Sequence, residues 1–129
     1  MAVRFADISL ITEDVLKLCA FYETVFESKA GGDETHSFID AGGVTIVFDH
    51  AASLKEYEPF HFVTTGGMNQ IILSFDVDDV DEEYWRLLSL EVKTLNRPTT
   101  HSWGARSFQF RDPDGNILNF RSRQGLEPI

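Results

Sequence analysis

The stretch at residues 103–123, WGARSFQFRDPDGNILNFRSR, constrains the fold of this chain more than any other. It reads as two strands joined by a tight turn at Asp112-Pro113-Asp114-Gly115-Asn116. Proline sets φ at a corner, glycine takes the left-handed position, and Asp and Asn side chains bond back to the main chain. Before the turn, Phe108 and Phe110 alternate with Ser107, Gln109 and Arg111. After it, Leu118 and Phe120 alternate with Ile117, Asn119, Arg121 and Arg123. Alternation on both sides of a turn predicts a hairpin with one packed face.

The remainder divides into two similar runs. Residues 4–11 read as a strand, and residues 14–26 as a helix whose Val15, Leu18, Cys19, Tyr22, Val25 and Phe26 form one apolar stripe. Thr12 is expected to cap it, with Glu13 and Asp14 in the first turn. Gly31-Gly32 is expected to break the chain, and short strands are expected at 28–30, 36–40 and 44–49. Residues 51–67, with Pro59, Gly66 and Gly67, read as an irregular linker. The order then repeats: a strand at 69–77, a helix marked by Val80, Tyr84, Leu87 and Leu88 with an Asp79/Glu82 capping box, a short strand at 92–96, and the hairpin. The expected architecture is α+β, one domain over 1–129 made of two βαβββ units at 4–50 and 68–123.

Composition narrows the partners. With 21 acidic against 11 basic residues the net charge is −10, which argues against nucleic acid. One cysteine rules out an intrachain disulfide, and no apolar run reaches membrane-spanning length. The opening residues MAVRFADISL lack the apolar core of a secretion signal. A cytoplasmic protein without membrane contact is expected.

Trp-Gly-x-Arg-x-Phe-x-Phe-Arg-Asp-Pro-Asp-Gly-Asn resembles the closing hairpin of the vicinal-oxygen-chelate superfamily, the glyoxalase, bleomycin-resistance and extradiol-dioxygenase proteins. Asp7-Ile8-Ser9-Leu10, followed by Asp14 and Phe21-Tyr22, is similar to that family's first strand and helix. The resemblance implies two units curled into an open, barrel-like cleft, often at a homodimer interface. It also implies four metal-ligand positions, usually His or Glu, on the first and last strand of each unit. Carried over, these fall on Asp7, Ile46 or an adjacent residue, Gln70 and Asn119. One carboxylate, two amides and an isoleucine make a poor site for Zn²⁺, Ni²⁺ or Fe²⁺. A metal-free site without a cofactor is expected, and no catalytic residue is assigned.

Other candidates have plainer readings. His36, His50, His61 and His101 lack a second ligand at strand or helix spacing, although His50 or His101 offers a route to a rebuilt metal site. Cys19 belongs to an apolar stripe, as a buried thiol does. The acidic run 76–83 reads as a capped helix start, and Arg106 as a loop-holding group. Neither glycine pair opens a phosphate-binding motif. Trp103 serves as a core anchor or as a wall for an aromatic ligand. With Asp7, Ile46, Phe48, Gln70, Trp103 and Asn119 lining a cleft, the expected ligand is an uncharged or cationic aromatic small molecule. Arg121 lies on Asn119's face, and Asp7 is its expected internal partner. The competing reading is a lyase, isomerase or dioxygenase of the same superfamily with an atypical site.

Overall fold

The computed structural model of the chain describes residues 6–56, 63, 71–101 and 104–122. Two compact units divide it at residues 67 and 68. In the first, β1 (Asp7–Thr12), α1 (Val15–Phe26), β2 (Gly31–Gly32), β3 (His36–Asp40) and β4 (Thr45–His50) follow in order, and α2 (Ala51–Lys55) closes the described part. Sheet order is β1-β4-β3-β2, with β1 parallel to β4 and the other pairs antiparallel.

Local chemistry explains these bounds. The helix begins one residue later than expected because Asp14, not Thr12, is its N-cap. The Asp14 carboxylate accepts from Lys17 N at 3.1 Å, while Thr12 Oγ1 accepts from Asp14 N at 3.1 Å and steadies the cap. The predicted stripe is buried at Val15, Leu18, Cys19, Tyr22 and Val25. It packs on one face of the sheet, where the Tyr22 and Phe48 rings lie 5.2 Å apart.

Two further expectations fail in this unit. Gly31 and Gly32 do not interrupt the chain; they are the strand, displaced from 28–30. A Cβ on Gly31 would press on the Phe38 ring, and one on Gly32 (φ +102) would meet the His36 carbonyl, so glycine permits the close pairing. The start of the linker is helical at Ala51–Lys55, because its Ala-Ala-Ser-Leu-Lys sequence has good helix formers and Ala51 is buried. Residues 57–62 and 64–70 lie outside the described chain.

The second unit repeats the order: β5 (Ile72–Asp76), α3 (Val80–Ser89), β6 (Thr99–Thr100), β7 (Arg106–Arg111) and β8 (Ile117–Ser122), in sheet order β5-β8-β7-β6. Asp79 caps α3 by accepting from Glu82 N at 3.1 Å. The strand expected at 92–96 is absent. Only Thr94 bridges to Phe110, and the paired strand comes later, at Thr99–Thr100. Main-chain pairing at 92–96 is confined to Leu95 N donating to the Gln109 carbonyl at 2.8 Å, while the Gln109 N–H goes to the Asn96 side chain, Oδ1, at 2.9 Å.

Three phenylalanines fill this second core. Phe108, Phe110 and Phe120 contact one another with ring centroids 5.0–5.9 Å apart, and Tyr84 meets Phe108 edge-on at 5.3 Å. The turn has the expected chemistry, with Gly115 at φ +89. Asp112 Oδ1 accepts from Asp114 N and Asn116 N, and Oδ2 from Asn116 Nδ2, at 2.7–2.9 Å. The α+β pair of βαβββ units is therefore the observed architecture.

Candidate functional site

In each unit, alternation sorts the strands into a face under the helix and a face opposite it. On the first sheet the opposite face carries Asp7, Ser9 and Ile11 from β1, Val47 and Asp49 from β4, and His36 and Phe38 from β3. His36 Nδ1 and Asp49 Oδ1 are 2.8 Å apart. Phe38 lies over Gly31 with 47% of its surface exposed, an aromatic platform among carboxylates.

The strand register corrects the carried-over positions. Ile46 and Phe48 are core residues, 2% and 0% exposed, because β4 pairs them with Ile8 and Leu10 on the α1 side. Neither lines the opposite face; Val47, paired with Ser9, does. Gln70 lies outside the described residues, as do Trp103 and His61. Asp14 and Asp79 are equivalent caps, and Ser9↔Val47 in one unit corresponds to Ser74↔Asn119 in the other. The counterpart of Asp7 is therefore Ile72, not Gln70. Aligning the two helix caps, rather than element order alone, is the sequence signal that finds it.

On the second sheet the opposite face carries the Ile72–Ile117 pair and then a run of polar side chains. Asn119 Nδ2 donates to Ser74 Oγ (3.2 Å), Gln109 Nε2 donates to Asn119 Oδ1 (2.7 Å), and Asn96 Nδ2 donates to Gln109 Oε1 (2.6 Å). Ser74, Gln109 and Asn96 were not among the residues singled out from sequence. Arg121 Nε donates to Asp76 Oδ1 at 3.0 Å; its neighbour across the parallel pair, rather than Asp7, is the acid it engages.

The remaining candidates find structural partners. His50 Nδ1 is 2.8 Å from Ser53 Oγ at the start of α2, and His101 Nε2 is 2.9 Å from Ser107 Oγ. Arg106 grips Asp81 of α3 through Nε and Nη2 at 2.9 and 2.8 Å. The Arg106 hydrogen bonds hold the Asp81 carboxyl below the usual carboxylate range, and Asp81 in turn raises the guanidinium. Cys19 is buried; desolvation, helped by Glu23 and opposed by a Ser37 hydrogen bond, pushes its thiol up, as in an inert core cysteine.

By register, the four metal-ligand positions implied by the resemblance are Asp7, Val47, Ile72 and Asn119. One carboxylate, one amide and two hydrocarbon side chains do not fit a transition metal. Among the described residues, no group of three or more His, Cys, Asp or Glu is placed to hold an ion.

A pair of βαβββ units, each with a helix-free sheet face, defines a class that comparison identifies. The profile of the Glyoxalase/Bleomycin resistance protein/Dioxygenase superfamily matches residues 4–120, and the chain belongs to that superfamily. Among solved structures, a glyoxalase/bleomycin resistance protein/dioxygenase from Nocardioides superposes with TM-score 0.82 at 18% identity, over 98% of this chain and 88% of that one. Lactoylglutathione lyase from Agrobacterium tumefaciens gives TM-score 0.75 at 21% identity, over 95% and 97%. At these identities the likeness is one of fold. The uncharacterized protein YraH of Bacillus subtilis (strain 168) is 41% identical over 51 residues, 39% of this chain and 40% of YraH. The match thus spans about two-fifths of that relative. Among the described residues, no helix is long and apolar enough to cross a membrane.

Proposed function

We propose that this chain is a small-molecule-binding member of its superfamily that works without a metal and takes an uncharged or cationic aromatic ligand. The observation that carries this reading is the donor set Asp7, Val47, Ile72 and Asn119, which leaves one charged ligand where the family's enzymes place four metal-binding groups. The exposed Phe38, flanked by Asp49 and Asp40, supports a flat or cationic partner, since an aromatic face attracts cations. The net charge of −10 repels anions, and Arg121 is already engaged by Asp76.

Thermal-shift titration with matched cationic and anionic aromatics, at low and high salt, tests the ligand class. Cations at a hundred times their Kd should add about 2.7 kcal/mol, a rise of several degrees in Tm. Stabilisation by anions alone, abolished by Arg121→Ala, would sink the cationic reading. Elemental analysis of chelator-free protein should find well under one equivalent of Zn, Ni, Fe or Mn. A stoichiometric metal lost in Asp7→Ala would favour the lyase, isomerase or dioxygenase alternative.

We also propose a homodimer. Within their own sheets β1 and β5 pair on one side only, and Ile11, Phe38 and Ile72 are exposed. Unpaired edges and apolar surface of this kind favour association. Light scattering at micromolar concentration should return about twice the 14.6 kDa chain mass; a monomer there would refute the dimer.

A further inference from the structure

The side chains on the helix-free face of the second sheet form a hydrogen-bond ladder with a fixed direction. Its anchor is the Gln109 main-chain N–H, which can only donate, and which Asn96 Oδ1 accepts at 2.9 Å. That contact orients the Asn96 amide, so Asn96 Nδ2 faces Gln109 Oε1 at 2.6 Å. Gln109 is then oriented in turn. Its Nε2 donates hydrogen bonds to Asn119 Oδ1 at 2.7 Å and to Ser107 Oγ at 3.3 Å. With Oδ1 taken, Asn119 presents Nδ2 to Ser74 Oγ at 3.2 Å. Flipping any one amide would set oxygen against oxygen or nitrogen against nitrogen, so the whole series has one polarity.

The ladder therefore ends in donors. The Ser74 hydroxyl hydrogen and the second N–H of Asn119 have no partner among the described residues, and the two residues are directly paired across β5 and β8. Their surroundings are graded along the strands. One step toward the strand starts, Ile72 pairs with Ile117, and Ile72 is 61% exposed; one step the other way, Asp76 holds Arg121. An apolar pair, a donor pair and a neutralised ion pair thus follow one another on one face.

Resting on the binding reading above, we propose that Ser74 and Asn119 form an acceptor-binding subsite for a neutral carbonyl or carboxamide oxygen. The ligand's apolar body lies over Ile72 and Ile117. Two neutral donors match a neutral oxygen. A carboxylate would meet the protein's negative charge with its nearest guanidinium already paired. Asn96 and Gln109 are positioning residues, holding Asn119 with its N–H outward.

Titration of isotope-labelled full chain with benzamide, benzylamine and benzoate, followed by NMR of the side-chain amides, tests this. Benzamide should shift the Asn119 side-chain pair and Ser74. Asn119→Asp, which replaces the donor by an acceptor, should weaken benzamide about tenfold, and Ser74→Ala, at an exposed position, about fivefold. Asn96→Leu should release the Asn119 amide signals from their single orientation without touching the probe. If benzamide binds with shifts confined to other residues, or with unchanged affinity in both subsite variants, this subsite is wrong and the binding function stands. Stronger binding of benzoate, lost in Arg121→Ala, overturns the neutral-acceptor assignment. If none of the three probes shifts any resonance, the binding reading falls and the subsite with it.

Discussion

Replacing Phe108 with alanine is expected to lower the free energy of unfolding by about 3–5 kcal/mol, the usual cost of emptying a fully buried aromatic site. Phe108 is 0% exposed and its ring touches Tyr84, Phe110 and Phe120, so no single neighbour can collapse into the space. Against a total of about 5–15 kcal/mol for a domain of ordinary stability, this removes a large share, and a chain at the low end of that range would be partly unfolded. Phe38→Ala is the control. That ring is 47% exposed on the opposite kind of face and should cost about 1 kcal/mol or less. Urea denaturation with unchanged slope measures both. Equal losses at the two positions would mean that the faces have been assigned wrongly.

The second large effect is expected at the hairpin turn. Asp112 is 4% exposed, and its carboxylate satisfies two main-chain N–H groups and the Asn116 side chain. Asp112→Ala strands these donors and should cost about 2–4 kcal/mol, since each buried donor left unmatched carries a penalty of about 1–3 kcal/mol and some will find water. Asp112→Asn keeps one carbonyl oxygen for the two N–H groups and should recover roughly half of the loss. A full loss in both variants would show that the negative charge, rather than acceptor geometry, holds the turn. The same urea series decides between them.

These two sites differ in how they read from sequence. The turn was visible because its chemistry is local: Asp112 reaches only as far as Asn116, and proline and glycine restrict the backbone residue by residue. The helix stripes were visible for the same reason, since Val15, Leu18, Tyr22 and Val25 recur at the helical period whatever lies beneath them. The faces of the strands were only half visible. Alternation in β4 separates Ile46 and Phe48 from Thr45, Val47 and Asp49, but Val47 is itself apolar, so the residue type at 47 did not mark it as the position on the open face. A one-residue change of register exchanges the two faces.

By itself the sequence determined the βαβββ order within each unit, the Asp79 cap, the hairpin and the charge. Each depends on residues a few positions apart, whose interactions form in nearly any tertiary setting. Only the tertiary structure decided that Val47, rather than Ile46, is the register counterpart of Asn119; Ile72 as the counterpart of Asp7 was within reach of the sequence through the two helix caps. The tertiary structure alone brought Asn96, Gln109, Asn119 and Ser74 into one series, over separations of 13, 10 and 45 positions. Parallel pairing of β5 with β8 sets that register, and neither the helix between them nor the hairpin carries a local signal of it. Amide and hydroxyl side chains acquire direction from one another only after the strands have paired.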